Sequence, residues 1–578
     1  MFTRMRRTSH HGIATLALLI GVAGASGYAV AQNLPATADP SRVGRDTISP
    51  SQQMRSLGEP SRPALARPIT PAGAADERFV LSAIEISGMT AYSDAEVQKI
   101  YARYLGQEIS VATLFDIMTD LHNKYLQDGY TLSRVFLPAQ DIKDGIAKID
   151  VVEGYINAVE LDPSMPSSLV TDDAVRRILA MRPLNTIELE RLLLIMNALP
   201  RMGVGAILAS LDEKSPDAKT PGALRLILRN EPTDEEISGI GIDNHGSVFT
   251  GPYQISGFGR VFDVGVAHST LEISSTLSTS LPEQQFVSLD YSMPILGASG
   301  TMLSFTTSIA KTEPGSNLDR LDIKGMSKFI AADISYPVIR QRAMMLKANA
   351  TFDIRNSKTD ILDDLLYDDR LRVLRAGFNF SASDPFYGVT LVDFHYARGL
   401  DILGARETGS FKLSRQDGAS DFNKMTGVIG RLQSLPRGFE LYGLLTGQYA
   451  FEPLLSAEEF GFGGGVMGRG YNPSEIAGDR GIAGTLELRY NAEPLPTPFT
   501  IQAQPYVFYD AGKVWNIDNN DTTHMSAASS GAGSRFTMEK GWNMDLNLAF
   551  PLTRPAQNTP KYSHKYGPRI MFELRKAF

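Results

Sequence analysis

The sequence predicts a fold in two parts: α/β repeats, then an all-β transmembrane barrel of about 16 antiparallel strands. Three observations predict it. Residues 78–232 run through one β-α-α-β-β pattern twice. From about Glu235 the helical period disappears, and short segments alternate apolar and polar residues with period two. The connections between those segments alternate short and long, as in barrels with tight turns on one side of a membrane and large loops on the other.

Residues 1–31 read as a signal peptide. Arg4, Arg6 and Arg7 precede an apolar core, Ile13 to Ala25, and Ala29-Val30-Ala31 is a small-x-small cleavage site. The core is shorter than the roughly 20 residues of a spanning helix. Residues 32–77 form a linker interrupted by Pro35, Pro40, Pro50, Pro60, Pro63, Pro68 and Pro71. Its best helix candidate is Ser51–Leu57.

The first α/β unit spans 78–155. Phe79 to Ser87 is a strand, and Ser93 with Glu96 forms a capping box that opens a helix to Leu105. Val111 to Gln127 is a second helix, with Leu114, Ile117, Met118, Leu121 and Tyr125 on one face. Thr131–Leu137 and Ile146–Val152 follow as strands, with Asp144-Gly145 turning between them. The second unit, 156–232, repeats the order. Its helices start at Thr171 and at Asn185, and its strands are Ile156–Leu161, Val204–Leu211 and Ala223–Leu228.

The barrel spans 235–578. Its strand candidates are 237–244, 253–261, 271–277, 286–293, 301–309, 329–338, 345–354, 371–380, 389–397, 422–432, 439–451, 485–490, 505–510, 530–537, 542–550 and 570–578. Turns such as Pro436-Arg437-Gly438 and Glu539-Lys540-Gly541 are short. Residues 311–328, 356–370, 401–421, 452–484, 514–529 and 553–569 read as long loops. In lipid every backbone polar group needs an internal partner, so such a sheet must close on itself. The last strand puts Ile570, Phe572, Leu574 and Phe578 on one face, with Lys576 the single exception, as expected of a lipid-facing strand.

A net charge of −8 argues against general nucleic-acid binding, and the absence of cysteine removes disulfides and thiolate metal sites. The chain has no HExxH, phosphate loop or GxSxG, so neither an enzyme nor a cofactor is expected. Gly463-x-Gly465-x-x-Gly468 fits a dinucleotide fingerprint but lacks the following βαβ unit. The eight histidines show no metal spacing, and the acidic cluster Asp360, Asp363, Asp364, Asp368 and Asp369 reads as a solvated outer loop.

The strongest motifs lie late in the chain. Gly468-Arg469-Gly470-Tyr471 sits in a glycine-rich loop, and Phe508-x-Asp510-x-Gly512 sits on a later strand. An arginine in such a loop with an aspartate on a barrel strand suggests a buried ion pair in the lumen. Other motifs include Tyr125-Leu126-Gln127-Asp128-Gly129-Tyr130, Val151-Val152-Glu153-Gly154-Tyr155-Ile156 and Asp243-Asn244-His245-Gly246-Ser247. In this order they resemble the outer-membrane transporters of two-partner secretion, the TpsB or hemolysin secretion/activation family, over nearly the whole mature chain.

The resemblance implies two periplasmic POTRA domains, a sixteen-stranded barrel and a sixth outer loop folded into the lumen, where Arg469 pairs with Asp510. Gly468 stands where valine is usual in the family. A plug helix from the linker is implied as well. The implied partners are a secreted TpsA-like exoprotein, hemolysin- or adhesin-like, together with outer-membrane lipid. Phe578 resembles the signal read by the barrel assembly machinery. The alternative reading is an outer-membrane barrel assembly factor, which usually carries more than two POTRA units.

Overall fold

The computed structural model describes residues 35–43, 66, 70–211, 216–217, 219–232, 235–494, 500–517, 524–553 and 567–578. The expected signal peptide and the helix candidate Ser51–Leu57 lie outside the described residues.

The first unit contains β1 (Arg78–Val80), β2 (Ala83–Ser87), α1 (Asp94–Tyr101), β3 (Glu108–Ser110), α2 (Val111–Gln127), β4 (Arg134–Phe136) and β5 (Ile146–Val152). The single strand expected over 79–87 is two. Leu81 turns into the core between them, so β1 pairs with β3 while β2 joins the sheet β2-β5-β4. α1 starts on the Ser93–Glu96 capping box, and the Ser110 hydroxyl accepts the Thr113 N–H at the start of α2. Leu114, Ile117, Leu121 and Tyr125 of α2 pack on Ala147, Ile149 and Val151 of β5.

The second unit contains β6 (Tyr155–Leu161), α3 (Leu169–Ala180), α4 (Thr186–Met196), β7 (Val204–Ser210) and β8 (Ala223–Asn230), with sheet order β6-β8-β7. α3 begins two residues earlier than expected because Ser168, not Thr171, is its N-cap. The two units are joined by direct hydrogen bonds. Thr186 N–H donates to the Gly129 carbonyl, Asn185 Nδ2 to the Asp128 carbonyl and Leu184 N–H to the Gly154 carbonyl.

Sixteen antiparallel strands close the barrel. They are β9 (Ser238–Asp243), β10 (Gln254–Phe262), β11 (Thr270–Ser278), β12 (Gln285–Ile295), β13 (Thr301–Thr312), β14 (Ile323–Arg340), β15 (Met344–Ile361) and β16 (Asp364–Asp384), then β17 (Gly388–Gly399), β18 (Asn423–Ser434) and β19 (Phe439–Ala450). A short hairpin, β20 (Phe460–Phe462) and β21 (Ile476–Gly478), precedes β22 (Arg480–Tyr490), β23 (Ile501–Trp515), β24 (His524–Met538), β25 (Trp542–Pro551) and β26 (Arg569–Ala577). β26 pairs with β9, so the barrel has no free edge. No helix among the described residues is long and apolar enough to cross a membrane. The strands carry the lipid face: Ile482, Leu486 and Leu488 of β22 point outward, while Thr485, Glu487 and Arg489 are buried on the lumen side.

Every expected strand is present, but several are longer than expected. The supposed loop 356–370 is mostly strand, and β15 and β16 meet in a tight turn at Leu362-Asp363, both with positive φ. Above the lipid no apolar face is required, so the alternation that marks a strand in the sequence fades while the hydrogen-bond ladder continues. The acidic cluster therefore lies on this hairpin. Asp369 is buried and accepts the Ser414 N–H at 2.9 Å.

Candidate functional site

The connection between β19 and β22 does not remain outside. Its β20–β21 hairpin folds into the lumen, where Phe462, Tyr471 and Ile476 pack on Ala483, Val514 and Ala527 of the wall. A second apolar contact lies further out, where Leu454, Leu455 and Ala457 of the same connection pack with Leu371, Val373 and Phe422; between the two patches the loop tip is held by charge.

Arg469 is 2% exposed and Asp510 of β23 is fully buried. The guanidinium forks onto the carboxylate, with Nη2 at 2.7 Å from Oδ1 and Nε at 3.1 Å from Oδ2. The backbone N–H groups of Gly468 and Arg469 donate to the same Oδ2 at 3.0 and 3.1 Å. Arg469 also donates to Glu487 at 2.6 Å and to the Thr485 hydroxyl at 2.9 Å, and its guanidinium carbon lies 3.5 Å from the centroid of the Phe508 ring. A guanidinium donates five N–H bonds and accepts none, so a site out of water must supply acceptors around its rim. β22 and β23 do so because Thr485 and Asp510 are register partners.

All seven sequence-predicted site residues converge here. Gly468 has φ +84°, and a Cβ on it would lie 2.9 Å from Gly463 Cα, so a valine there would be strained. Its N–H is held by Asp510, which fixes the loop tip. Gly512 leaves a notch for the loop: a Cβ there would fall 2.4 Å from the Phe462 ring. Gly470 lies against Ser529 and Pro551. The Tyr471 hydroxyl reaches the carbonyls of Ala528 and Thr553 at 2.8 and 2.6 Å. Asp510 and Phe508 face the lumen from one strand, as period two requires.

The motif reading missed most of the network. Glu487 is a hub for Arg469, Arg489 and Arg535, and Arg535 also reaches Asp545 at 3.0 Å. A second cluster holds the outer part of the loop. Glu458 binds Arg375 at 2.8 Å and Lys424 at 2.6 Å; Arg415 binds both Glu459 and the fully buried Asp479. Strand parity puts Glu487 and Arg489 on the lumen side, but nothing in the sequence gives their partners.

The N-terminal segment is also in the barrel. Two short 3-10 turns, Ala36–Ala38 and Pro40–Arg42, sit at the outer end of the lumen. Ala38 packs with Phe249, Leu318 and Ile323, Tyr367 donates to Asp39 at 3.1 Å, and Arg42 binds Glu459 at 2.6 Å. Asp39, Arg42 and Arg469 line one cavity with Arg489, Gln504 and Arg575. Ala66 is on the opposite side, hydrogen-bonded to Asn123 of α2.

At the inner end the second α/β unit docks on the barrel turns. Asp173 accepts the Ala298 N–H at 2.9 Å, Arg191 donates to the Pro337 carbonyl at 3.2 Å, and Arg342 pairs with Glu190 at 2.6 Å. His268 Nε2 lies 3.0 Å from the hydroxyl of Ser168, the N-cap of α3. Burial pushes the His268 imidazole below its ordinary value, against a smaller upward pull from Asp263. No cluster of potential metal ligands occurs among the described residues.

A closed sixteen-stranded barrel with periplasmic α/β units and a charge-anchored loop in its lumen defines an outer-membrane transporter of the POTRA-containing class. The family model described as haemolysin secretion/activation protein ShlB/FhaC/HecB matches residues 222–536, and that for the ShlB-type POTRA domain matches 79–154. The chain belongs to the haemolysin secretion/activation (ShlB/FhaC/HecB) family, the TpsB transporters of two-partner secretion. It is 25% identical to the outer membrane transporter CdiB of Dickeya dadantii over 498 residues, covering 83% of this chain and 84% of that one. It is 22% identical to the heme/hemopexin transporter protein HuxB of Haemophilus influenzae over 475 residues, covering 81% and 82%. The structure of CdiB from Escherichia coli shares the fold, with a TM-score of 0.76 at 20% identity over 91% of this chain and 96% of that one.

Proposed function

We propose that this transporter captures one exported, unfolded exoprotein in the periplasm through its POTRA units and conducts it through the barrel lumen to the cell surface, where the client folds. The observation that carries this reading is how the lumen is filled. The tip of the loop, at Arg469, is held by ion pairs and hydrogen bonds, and the loop's apolar contacts are confined to two separate patches, one around Phe462 and one around Leu454 and Leu455. Such a polar anchor can be exchanged, because water or a polar chain can replace its partners. The exchange of Arg469 away from Asp510 is the switch between a closed and a conducting barrel.

Capture is supported by the sheet edges. β7 is one of the two edge strands of β6-β8-β7, contains no charged residue and exposes Ile207 and Leu208. Edge strands are usually blunted by charge or proline, and an open one adds an extended peptide through main-chain hydrogen bonds with loose sequence demands. A client that arrives unfolded meets those terms. Outer-membrane lipid and the barrel assembly machinery, which inserts the chain, complete the partners.

The test is a secretion assay in a strain lacking this gene, profiling proteins in the medium and on the cell surface. Loss of one large exoprotein, with other outer-membrane barrels at normal levels, is the expected result. A broad fall in outer-membrane barrels would identify an assembly factor instead. Complementation with Arg469→Ala should restore the protein to the outer membrane but leave export sharply reduced; normal export would remove Arg469 from the mechanism.

A further inference from the structure

The ladder that closes the barrel is its shortest. β9 and β26 share five register pairs, from Asp243↔Glu573 to Gly239↔Ala577. β9 and β10 share six, and β25 and β26 share eight. Two residues of β9, Gly239 and Gly241, bring no side chain to the seam. At the inner end the ladder is extended by the C-terminal residue: Ile237 N–H donates to the Phe578 carbonyl, and Phe578 N–H to the Ser238 carbonyl, both at 2.9 Å.

At the outer end β9 stops before its partner does. The Asp243 carboxylate accepts the His245 N–H at 2.9 Å and turns the chain away. β26 continues outward through Phe572, Met571 and Ile570, and β25 covers only one of its edges there. Asn244 occupies the other. Its backbone N–H donates to the Phe572 carbonyl at 3.2 Å. Its Oδ1 accepts the Phe572 N–H at 2.8 Å, and its Nδ2 donates to the Ile570 carbonyl at 2.8 Å. A carboxamide has the donor and acceptor of a peptide group. Here it makes two bonds that β9 would make had it run one step further.

We propose that Asn244 is the outer latch of the β9–β26 seam, a side-chain substitute for the missing peptide that keeps the barrel from opening sideways. Unpaired main-chain groups are costly at membrane depth, so a seam that ends early needs such a substitute. This goes beyond the transporter reading: it assigns a positioning residue that commits the barrel to conduction through its lumen. An aspartate could still accept from Phe572 but could not donate to Ile570. Alanine could do neither.

The full chain in detergent micelles tests this by hydrogen exchange of single amides. In Asn244→Ala, exchange at Phe572 should rise about tenfold or more, the loss expected for hydrogen bonds of ordinary strength, while amides of β14 and β15 keep their rates. Asn244→Asp should fall between wild type and alanine. Because the chain has no cysteine, Ile242→Cys with Leu574→Cys, which are register partners, can be oxidised to a single disulfide across the seam. Asn244→Ala should also lower export, and that covalent closure should return it. An unchanged rate at Phe572, a rise spread evenly over all barrel strands, or export not restored by the disulfide would each overturn the latch. If the alanine variant is not recovered folded, Asn244→Asp decides, and exchange at Phe572 no faster than wild type overturns it. The exchange measurement does not depend on what is exported, so its failure is distinct from failure of the transport reading.

Discussion

The POTRA units and the lumen loop are both well packed, but by opposite means. In the first unit Leu121, Tyr125, Ala147 and Ile149 are fully or almost fully out of water and make an apolar core. In the lumen, the loop tip is fixed by Arg469, Asp510, Glu487 and Asp479, all 3% exposed or less. Apolar burial is non-directional and scales with area, so a core formed that way opens only by unfolding. An ion-pair network is directional and fails once one partner moves, yet each group can be satisfied again by water or another charge. The barrel is inverted relative to a soluble domain, with apolar residues facing lipid and mainly polar ones facing inward, so a lumen loop relies on the second means at its tip and on only local apolar patches elsewhere. On the proposed function, the difference separates a permanent support from the part that would move.

The largest expected effect tests the lumen side. Asp510→Ala leaves Arg469 buried without its main partner and should weaken the loop anchor by about 3–5 kcal/mol. Its measure is easier protease cleavage within 452–484 in outer-membrane vesicles. The double variant Arg469→Ala/Asp510→Ala should lose less than the sum of the two singles, and additive losses would show that the two side chains do not act as a pair.

The next effect tests the POTRA side. Leu121→Ala should cost about 2–5 kcal/mol through the cavity it leaves. Loss should appear as earlier thermal unfolding of the periplasmic units, with the gel-shift temperature of the barrel unchanged. A matching shift of the barrel would show that the two regions melt as one.

The smallest effect concerns the joint between them. His268 is held neutral by burial, so its folded value lies below its unfolded one. The unfolded state then binds the proton first as pH falls, and the contribution of His268 to stability is complete above the ordinary histidine value of about 6.5 and declines below it. Cross-linking yield between the second unit and the barrel turns should therefore fall as pH drops below about 6.5. His268→Gln should flatten that profile, and an unchanged profile would place the sensitivity elsewhere.

The sequence was most legible where one physical rule acts over several residues. Period-two alternation located all sixteen strands because lipid on one side and water on the other require it. It lost the outer ends of β14, β15, β16, β23 and β24, where neither face meets lipid and only the backbone ladder persists. Arg469 and Asp510 were legible as motifs. Their shared partner Glu487, and the second cluster of Arg415, Glu458, Glu459 and Asp479, were not, because residues far apart in the chain meet only once the barrel closes and the loop turns inward.

By itself the sequence determined the periodicities and the caps. Those are local, and they settle which segments become helices, strands or turns, which strand face meets lipid, and that the sheet must close. Tertiary structure alone decided which buried charges meet, that residues 35–43 lodge at the outer mouth against Tyr367 and Glu459, and that Asn244 completes the seam. Each depends on register and on the approach of segments separated by 18 to 417 residues, and a one-residue slip of a strand would move its partners to the other face.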